Sequence, residues 1–306
     1  MLEERLNMAK KHNGILKLNE PMSRHTSWRI GGVADQFYLP ESVADLNNFL
    51  SSLSDSDNIV WVGLGSNLLV RDAGIRGTVI CTSGVLNEIL FLDTEKVKVE
   101  AGVACPKMAK KCAEQGLSGI EFLSGIPGTI GGALNMNAGA LGHEIWEFVV
   151  EVEMITRQGE IKKRPKSDFE INYRHVAGKG FELGVDEWFV AGIFELHTSD
   201  VNTAKANIKE ILRHRSATQP TQLANAGSVF RNPESLFAAK LIEDAGLKGF
   251  CIGGACVSEK HANFFINTGT ASSNDVEALI KYVGDLIYKE HNVRMIVEVK
   301  IIGDKS

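Results

Sequence analysis

Ser124-Gly125-Ile126-Pro127-Gly128-Thr129-Ile130-Gly131-Gly132-Ala133-Leu134-Asn135-Met136-Asn137-Ala138-Gly139 is the stretch on which the reading of the fold turns. Its many glycines and few large polar side chains expose main chain, so that backbone can approach a flat or phosphorylated ligand closely. A loop with a purely structural task rarely needs so many glycines. Upstream, Trp61-Val62-Gly63-Leu64-Gly65-Ser66-Asn67-Leu68-Leu69-Val70 repeats the theme on a smaller scale. Gly63 and Gly65 allow a tight turn directly after a short apolar strand, and successive N–H groups in such a turn form an anion-binding nest. Ser66 and Asn67 add hydrogen-bonding side chains. The turn lacks the third glycine of a dinucleotide fingerprint, a strand follows it rather than a helix, and no Gly-Lys-Ser/Thr succeeds it. Taken alone it also reads as a simple glycine corner.

Outward from these loops, helical and strand patterns alternate, which points to α/β or α+β architecture. Helical spacing covers 42–53, 106–115, 201–215, 235–245 and 274–291. Pro106 stands near the first turn of its helix and Gly116 just past its end, the usual asymmetry. Strands are expected at 58–62, 68–70, 78–81, 96–101, 149–156, 160–163 and 188–196, with Arg157-Gln158-Gly159 as a hairpin turn. A final strand at 293–302 alternates around Glu298. The texture changes near residue 200. The expected division is an N-terminal segment 1–29, a domain 30–199 with parts at about 30–83 and 84–199, and a C-terminal domain 200–306.

The chain has 306 residues, 44% hydrophobic and 23% charged, with 33 basic and 38 acidic side chains and a net charge of −5. Those values fit a globular chain able to bury a sizeable core. The acidic balance argues against broad binding to nucleic acid or to an anionic membrane, while leaving room for a local basic pocket. No apolar run reaches the roughly 18 residues of a spanning helix. The first 14 residues mix charges of both signs without an apolar signal core. Cys81, Cys105, Cys112, Cys251 and Cys256 are odd in number and form no CxxC, which argues against a disulfide framework or zinc ribbon and favours a cytoplasmic setting. His143-Glu144-Ile145-Trp146-Glu147 is HExxE rather than HExxH, so no metal is expected.

The motifs resemble those of the UDP-N-acetylenolpyruvoylglucosamine reductase family, flavin enzymes of peptidoglycan precursor synthesis. The resemblance rests on Gly63–Asn67, on 125–132, on Asn225-Ala226-Gly227-Ser228-Val229-Phe230-Arg231-Asn232-Pro233, and on Gly246-Leu247-Lys248-Gly249. It rests further on Ile252-Gly253-Gly254-Ala255, on 257–264, and on His25-Thr26 with the glycines that follow at 31 and 32. It runs from about residue 18 to 303. It implies an α+β chain: an FAD-binding domain of the vanillyl-alcohol-oxidase (PCMH) type made of two α/β subdomains, then a C-terminal α+β substrate domain.

The implied reaction uses FAD and NADPH to reduce the enolpyruvyl ether of a UDP-sugar to a lactyl ether. Flavin N5 delivers hydride to the methylene carbon, and Ser228 donates a proton to the carbon bearing the carboxylate. Glu298 matches the family's catalytic glutamate, although alternation alone also allows it a wet face. Arg174 matches the arginine that binds the substrate carboxylate, its fork of donors suiting a planar anion.

The resemblance places the flavin phosphates at Gly63, Leu64, Gly65, Ser66 and Asn67. It places the rest of the cofactor along Ser124, Gly125, Pro127, Gly128, Thr129, Gly131, Gly132, Asn137, Ala138 and Gly139. Gly65 is expected to matter more for cofactor retention than for the fold. Tyr173, Arg174, Arg213, Arg231, Lys248 and Asn263 are expected at the UDP-sugar, with Arg215 a further partner for its phosphates and His25 near the flavin or nicotinamide. The chain departs from the pattern after Arg174, where Val176 replaces a common serine and Gly178-Lys179-Gly180 follows. Too few residues separate Arg174 from Val190 for the tyrosine lobe of the longer form, so the shorter form is implied. The implied state is a cytoplasmic monomer without nucleic-acid or membrane partners. The alternative is another flavin oxidoreductase or oxidase of the same fold.

Overall fold

Strand Glu187–Glu195, EWFVAGIFE, is buried along almost its whole length, as a strand covered on both faces must be. It occupies the middle of a five-stranded antiparallel sheet. Val149–Thr156 and Ile161–Pro165 lie on one side of it, and Lys96–Glu100 and Ile89–Phe91 on the other. The computed structural model describes residues 13–305; the signal-free reading of the first residues therefore lies mostly outside the described residues. The described residues divide into two compact units, one of residues 13–18, 36–64 and 77–212, the other of 19–35, 65–76 and 213–305.

The first unit builds its main core on that sheet. Helix Cys105–Glu114 buries Met108, Ala109 and Cys112 on one face, the i, i+1, i+4 pattern of an amphipathic helix. Together with Leu123, Ile130, Leu134, Trp146 and Phe194 these residues form one cluster. A second cluster gathers Tyr38, Leu46, Phe49, Ile59, Ile80, Ile155 and Trp188. It lies beside the parallel pairing of Ile59–Val62 with Thr78–Cys81 and the helix Val43–Ser51, whose N-terminus is capped by the Ser42 hydroxyl. The departure after Arg174 has a packing explanation. Hairpin Phe169–Asn172/His175–Gly178 turns Val176 into the main core, and Gly178 leaves room for the ring of Phe181, which lies under the Arg164 guanidinium.

The second unit has a four-stranded antiparallel sheet in the order Ala224–Ser228, Phe264–Asn267, Ala255–Val257, Cys251–Ile252. Helix Ser273–His291 presents Val276, Leu279, Ile280, Val283 and Ile287 to its core. Ser272 and Asp275 close that helix's N-terminus with a reciprocal capping box. Two early segments complete this unit. Trp28 is fully buried in the cluster and donates its indole N–H to the Phe265 carbonyl at 2.7 Å. Leu68–Val70 pairs in parallel with Lys300–Ile302, and Arg71 and Asp72 bind Glu277 and Ser273 of the long helix.

Two expectations need correction. The final strand is short: Lys300–Ile302 alone is continuous strand, preceded by an isolated bridge of Val297 to Phe230, so Glu298 stands in irregular chain between them. Cys251 and Cys256 are joined by a disulfide, with Cα atoms 4.1 Å apart. The Gly253-Gly254 turn sets the two cysteines opposite one another in the hairpin, a proximity that counting cysteines could not reveal. Cys81, Cys105 and Cys112 are buried free thiols, and burial pushes the last two up to about 12.

Replacing Trp28 with Ala should cost about 3–5 kcal/mol, because it deletes a large buried side chain and leaves the Phe265 carbonyl without its indole donor. Urea unfolding followed by far-ultraviolet circular dichroism checks this; a loss below about 1 kcal/mol would show that Trp28 is not a keystone of the second unit.

Candidate functional site

In the first unit the glycine-rich loop is held by the chain that leaves strand Lys96–Glu100. Gly131 N–H donates to Ala101 O, Ile130 N–H to Val103 O, and Cys105 N–H to Gly128 O. Thr129 caps the short helix Ile130–Met136 through its hydroxyl, which accepts from Gly132 N–H. The same hydroxyl occupies the space a side chain on Gly63 would need, so Gly63 is required by close packing. A Cβ on Gly131 would meet that of Ala101 at 2.9 Å.

Gly132 differs. Its backbone is exposed and a Cβ there would meet only the Thr129 hydroxyl oxygen, at 3.6 Å. Nothing in the fold requires glycine at this helical position, where glycine costs about 1 kcal/mol relative to alanine. A bare, solvent-facing stretch of main chain of this kind fits a ligand that lies directly against the backbone.

Three side chains expected at the cofactor instead face inward. Ser124 is buried and donates to Glu121 O, Thr129 is the cap, and Asn137 is 1% exposed. Asn137 sits in the left-handed conformation at the helix C-terminus and organises its surroundings. Its amide nitrogen donates to Glu144 Oε2 at 2.5 Å and to Asn172 O, and its side-chain oxygen accepts from Trp146 N–H. Its own carbonyl accepts from Arg174. The side chains of Ser124, Thr129 and Asn137 thus support the loop from within. Ala138 is also buried, and Gly139 packs against the His143 carbonyl.

Arg174 occupies the tip of the hairpin, with φ of 55°. Its guanidinium donates to Asn137 O at 3.2 Å and to Gly139 O at 2.7 Å, lies 3.9 Å from Glu144, and stacks over the half-exposed Tyr173 ring at 5.0 Å. Glu144 was singled out in the sequence only as part of a broken zinc pattern. Its place beside both Asn137 and Arg174 depends on a fold contact that spacing does not encode.

The second unit carries the other half of the expected residues. Gly65 has φ of 67°, and a Cβ there would fall onto the carbonyl oxygen of His25. The expectation that Gly65 serves the cofactor more than the fold is therefore overturned: the fold itself demands glycine. His25 pairs through Nε2 with the buried Glu20 at 2.8 Å. Asn67 accepts Lys300 N–H on its main-chain carbonyl and donates from its amide to the carbonyl of Glu298 at 3.3 Å.

Ser228 ends strand Ala224–Ser228 after an irregularity in which Gly227 takes φ of 77° and donates its N–H to the side chain of Asn225. Glu298 N–H donates to the carbonyl of Val229 at 2.8 Å, so the irregular segment that carries Glu298 is tied to the chain just after Ser228. Ser228 and Glu298 are both half-buried.

The expected phosphate and sugar contacts divide. Arg213 is exposed at the start of the second unit's share of helix Val201–Thr218. Arg215 is half-buried, bonds Gln219, and is held below its ordinary pKa by burial. Lys248 lies 2.7 Å from Glu243, and Arg231 N–H donates to Ile296 O. His261 packs edge-on against Phe264, with its ring held below the ordinary histidine pKa by burial. Asn263 is 2% exposed, and its amide oxygen and amide nitrogen each make a hydrogen bond to the main chain of Phe230, a tie within the fold.

Residues 34–164 match the family model described as an FAD binding domain, and residues 219–302 match that of the UDP-N-acetylenolpyruvoylglucosamine reductase C-terminal domain. The UDP-N-acetylenolpyruvoylglucosamine reductase of Legionella pneumophila (strain Corby) is 51% identical over 96% of this chain and 94% of its own. The chain belongs to the UDP-N-acetylenolpyruvoylglucosamine reductase family. The protein of that name from Coxiella burnetii (strain Dugway 5J108-111) is 46% identical, covering 95% of this chain and 96% of its own. The crystal structure of UDP-N-acetylenolpyruvylglucosamine reductase from Thermus caldophilus superposes with a TM-score of 0.78 at 28% identity, over 94% of this chain and 98% of that one. The architecture is accordingly that of an FAD-binding α+β protein of this family.

Two glycines separate fold from ligand. Gly132→Ala should leave unfolding of the FAD-free protein unchanged or raise its stability by up to about 1 kcal/mol, while FAD retention falls. Gly65→Val should lower both together. Flavin absorbance per protein and urea midpoints measure the two effects; undiminished flavin in Gly132→Ala would remove that backbone from the cofactor site.

Proposed function

We propose that the chain reduces the enolpyruvyl ether of UDP-N-acetyl-enolpyruvylglucosamine to the lactyl ether of UDP-N-acetylmuramate, in the cytoplasm, during peptidoglycan precursor synthesis. The observation that supports this reading is the main-chain bond from Glu298 N–H to Val229 O, which ties the segment bearing Glu298 to the segment bearing Ser228 within the second unit. Bound FAD supplies what no side chain can, a hydride taken from NADPH and passed to the methylene carbon. The exposed main chain at Gly132, with Gly125, Pro127, Gly128 and Gly131 in the same loop, would hold it together with the turn Gly63, Leu64, Gly65, Ser66 and Asn67.

Addition of hydride leaves an electron pair on the neighbouring carbon, delocalised into its carboxylate. Arg174 meets that carboxylate with a planar fork already fixed in position by the Asn137 and Gly139 carbonyls. Ser228 transfers its hydroxyl proton to the carbon, completing the C–H bond, and is reprotonated from solvent. A serine hydroxyl is a weak acid, so the transfer depends on placement and on the basicity of the developing carbanion. Glu298 orients that hydroxyl. Lys248, Arg213, Arg215 and Arg231 supply cations for the diphosphate, and Tyr173 stacks beside Arg174 at the sugar.

Ser228→Ala separates the two halves of the turnover. Flavin bleaching by NADPH should stay within about threefold of wild type, because that step needs no proton on the substrate carbon. Reoxidation by the enolpyruvyl sugar should slow by about 10²–10⁴-fold. Equal slowing of both in stopped-flow absorbance, or of neither, would remove Ser228 from the donor role.

Glu298→Gln keeps shape and deletes the charge. Steady-state turnover should fall by about 10²-fold or more, with FAD content unchanged. Turnover near wild type would return Glu298 to a solvated edge.

A further inference from the structure

Asn263 is a buried polar side chain beside the strand that bears Ser228. It is 2% exposed and its flanking residues, Ala262 and Phe264, are also buried. A buried primary amide has one acceptor oxygen and two donor hydrogens, each costly to leave unmade. Here Oδ1 accepts the N–H of Phe230 at 3.0 Å and Nδ2 donates to the C=O of the same residue at 2.8 Å. The main-chain carbonyl of Asn263 accepts from Val229 N–H at 2.8 Å. One residue therefore binds three of the four main-chain polar groups of residues 229–230, the fourth, Val229 O, being taken by Glu298 N–H. Its side chain acts as a short extra strand at the point where the regular ladder between Ala224–Ser228 and Phe264–Asn267 ends.

Across the chain from Asn263, Val229 O takes the N–H of Glu298, Phe230 bridges to Val297, and Arg231 N–H reaches Ile296 O. The segment 229–231 is thus gripped on one side by Asn263 and on the other by 296–298. Preceding it, Gly227 takes a left-handed conformation, which makes the direction in which Ser228 emerges depend on where the chain is next anchored. That anchor is Asn263.

We infer that Asn263 is a positioning residue for proton transfer: through Phe230 and Val229 it sets the placement of the Ser228 hydroxyl relative to Glu298, and it touches no substrate itself. The inference rests on Ser228 being the proton donor. It accounts for an asparagine in an otherwise apolar stretch, where a leucine of similar volume would pack without any polar group to satisfy but would leave the peptide of Phe230 unpaired.

The experiment uses the holoprotein and the variants Asn263→Leu, Ser228→Ala and the two combined. Asn263→Leu should slow reoxidation by the enolpyruvyl sugar by about 10–10²-fold, the scale for an ångström of misplacement, and leave flavin reduction by NADPH within about threefold. In the Ser228→Ala background it should produce no further slowing, because the group it positions is gone. Additive effects of the two changes, or equal slowing of both half-reactions, would make Asn263 a general structural residue and overturn the inference. Normal reoxidation by Ser228→Ala alone would instead sink the donor reading on which it rests.

A second measurement needs no variant. In the native protein the amides of Val229, Phe230 and Glu298 should exchange hydrogen together, through one opening event. Exchange of the Phe230 amide at least about tenfold faster than that of Glu298 would show that Asn263 does not grip the segment, and would equally overturn the inference.

Discussion

The hydrogen bond from Glu298 N–H to the Val229 carbonyl is the constraint on which the second unit's site depends. Val229 is completely buried, so its carbonyl has no water to turn to and the bond is obligatory. Asn67 fastens the same glutamate from the opposite end, accepting Lys300 N–H and donating to Glu298 O. Four stretches far apart in sequence, around residues 67, 229, 263 and 298, are consequently held to one another by main-chain geometry.

The first unit solves a similar problem with side chains. Arg174 stands at a hairpin tip with a left-handed backbone, an arrangement that costs about 1–2 kcal/mol for a residue bearing a Cβ. The carbonyls of Asn137 and Gly139 take two of its donors, and Asn137 itself is locked by Glu144, Asn172 and Trp146. The orientation of the guanidinium is thereby set by the fold.

What the sequence made legible was local. Helix Val201–Thr218 and strand Val149–Thr156 stand where periodicity put them, because each has a long, clean pattern of its own. The glycine loops and the Ser228 and Glu298 motifs were visible as motifs. Their mutual relations were not. Asn263 read as a ligand residue because an asparagine among apolar neighbours looks functional, and only the fold reveals that the peptide of Phe230 occupies both ends of its amide. Gly65 read as a cofactor glycine for the same reason, although the His25 carbonyl is what forbids a side chain there. The Cys251–Cys256 bridge and the short final strand escaped notice because both are set by pairing partners, not by local pattern.

The second unit is assembled from both ends of the chain, and this bears on how it is made. Trp28 leaves the ribosome long before its partner Phe265, 237 residues later, and Leu68–Val70 waits for Lys300–Ile302, 232 residues later. Until those partners have emerged the nascent chain displays a large indole and an unpaired strand edge with nowhere to bury them. Residues 19–35 and 65–76 are thus exposed to aggregation and to chaperones over a long stretch of synthesis, and they can settle only once the segments that carry Phe265 and Lys300–Ile302 are free to pair with them.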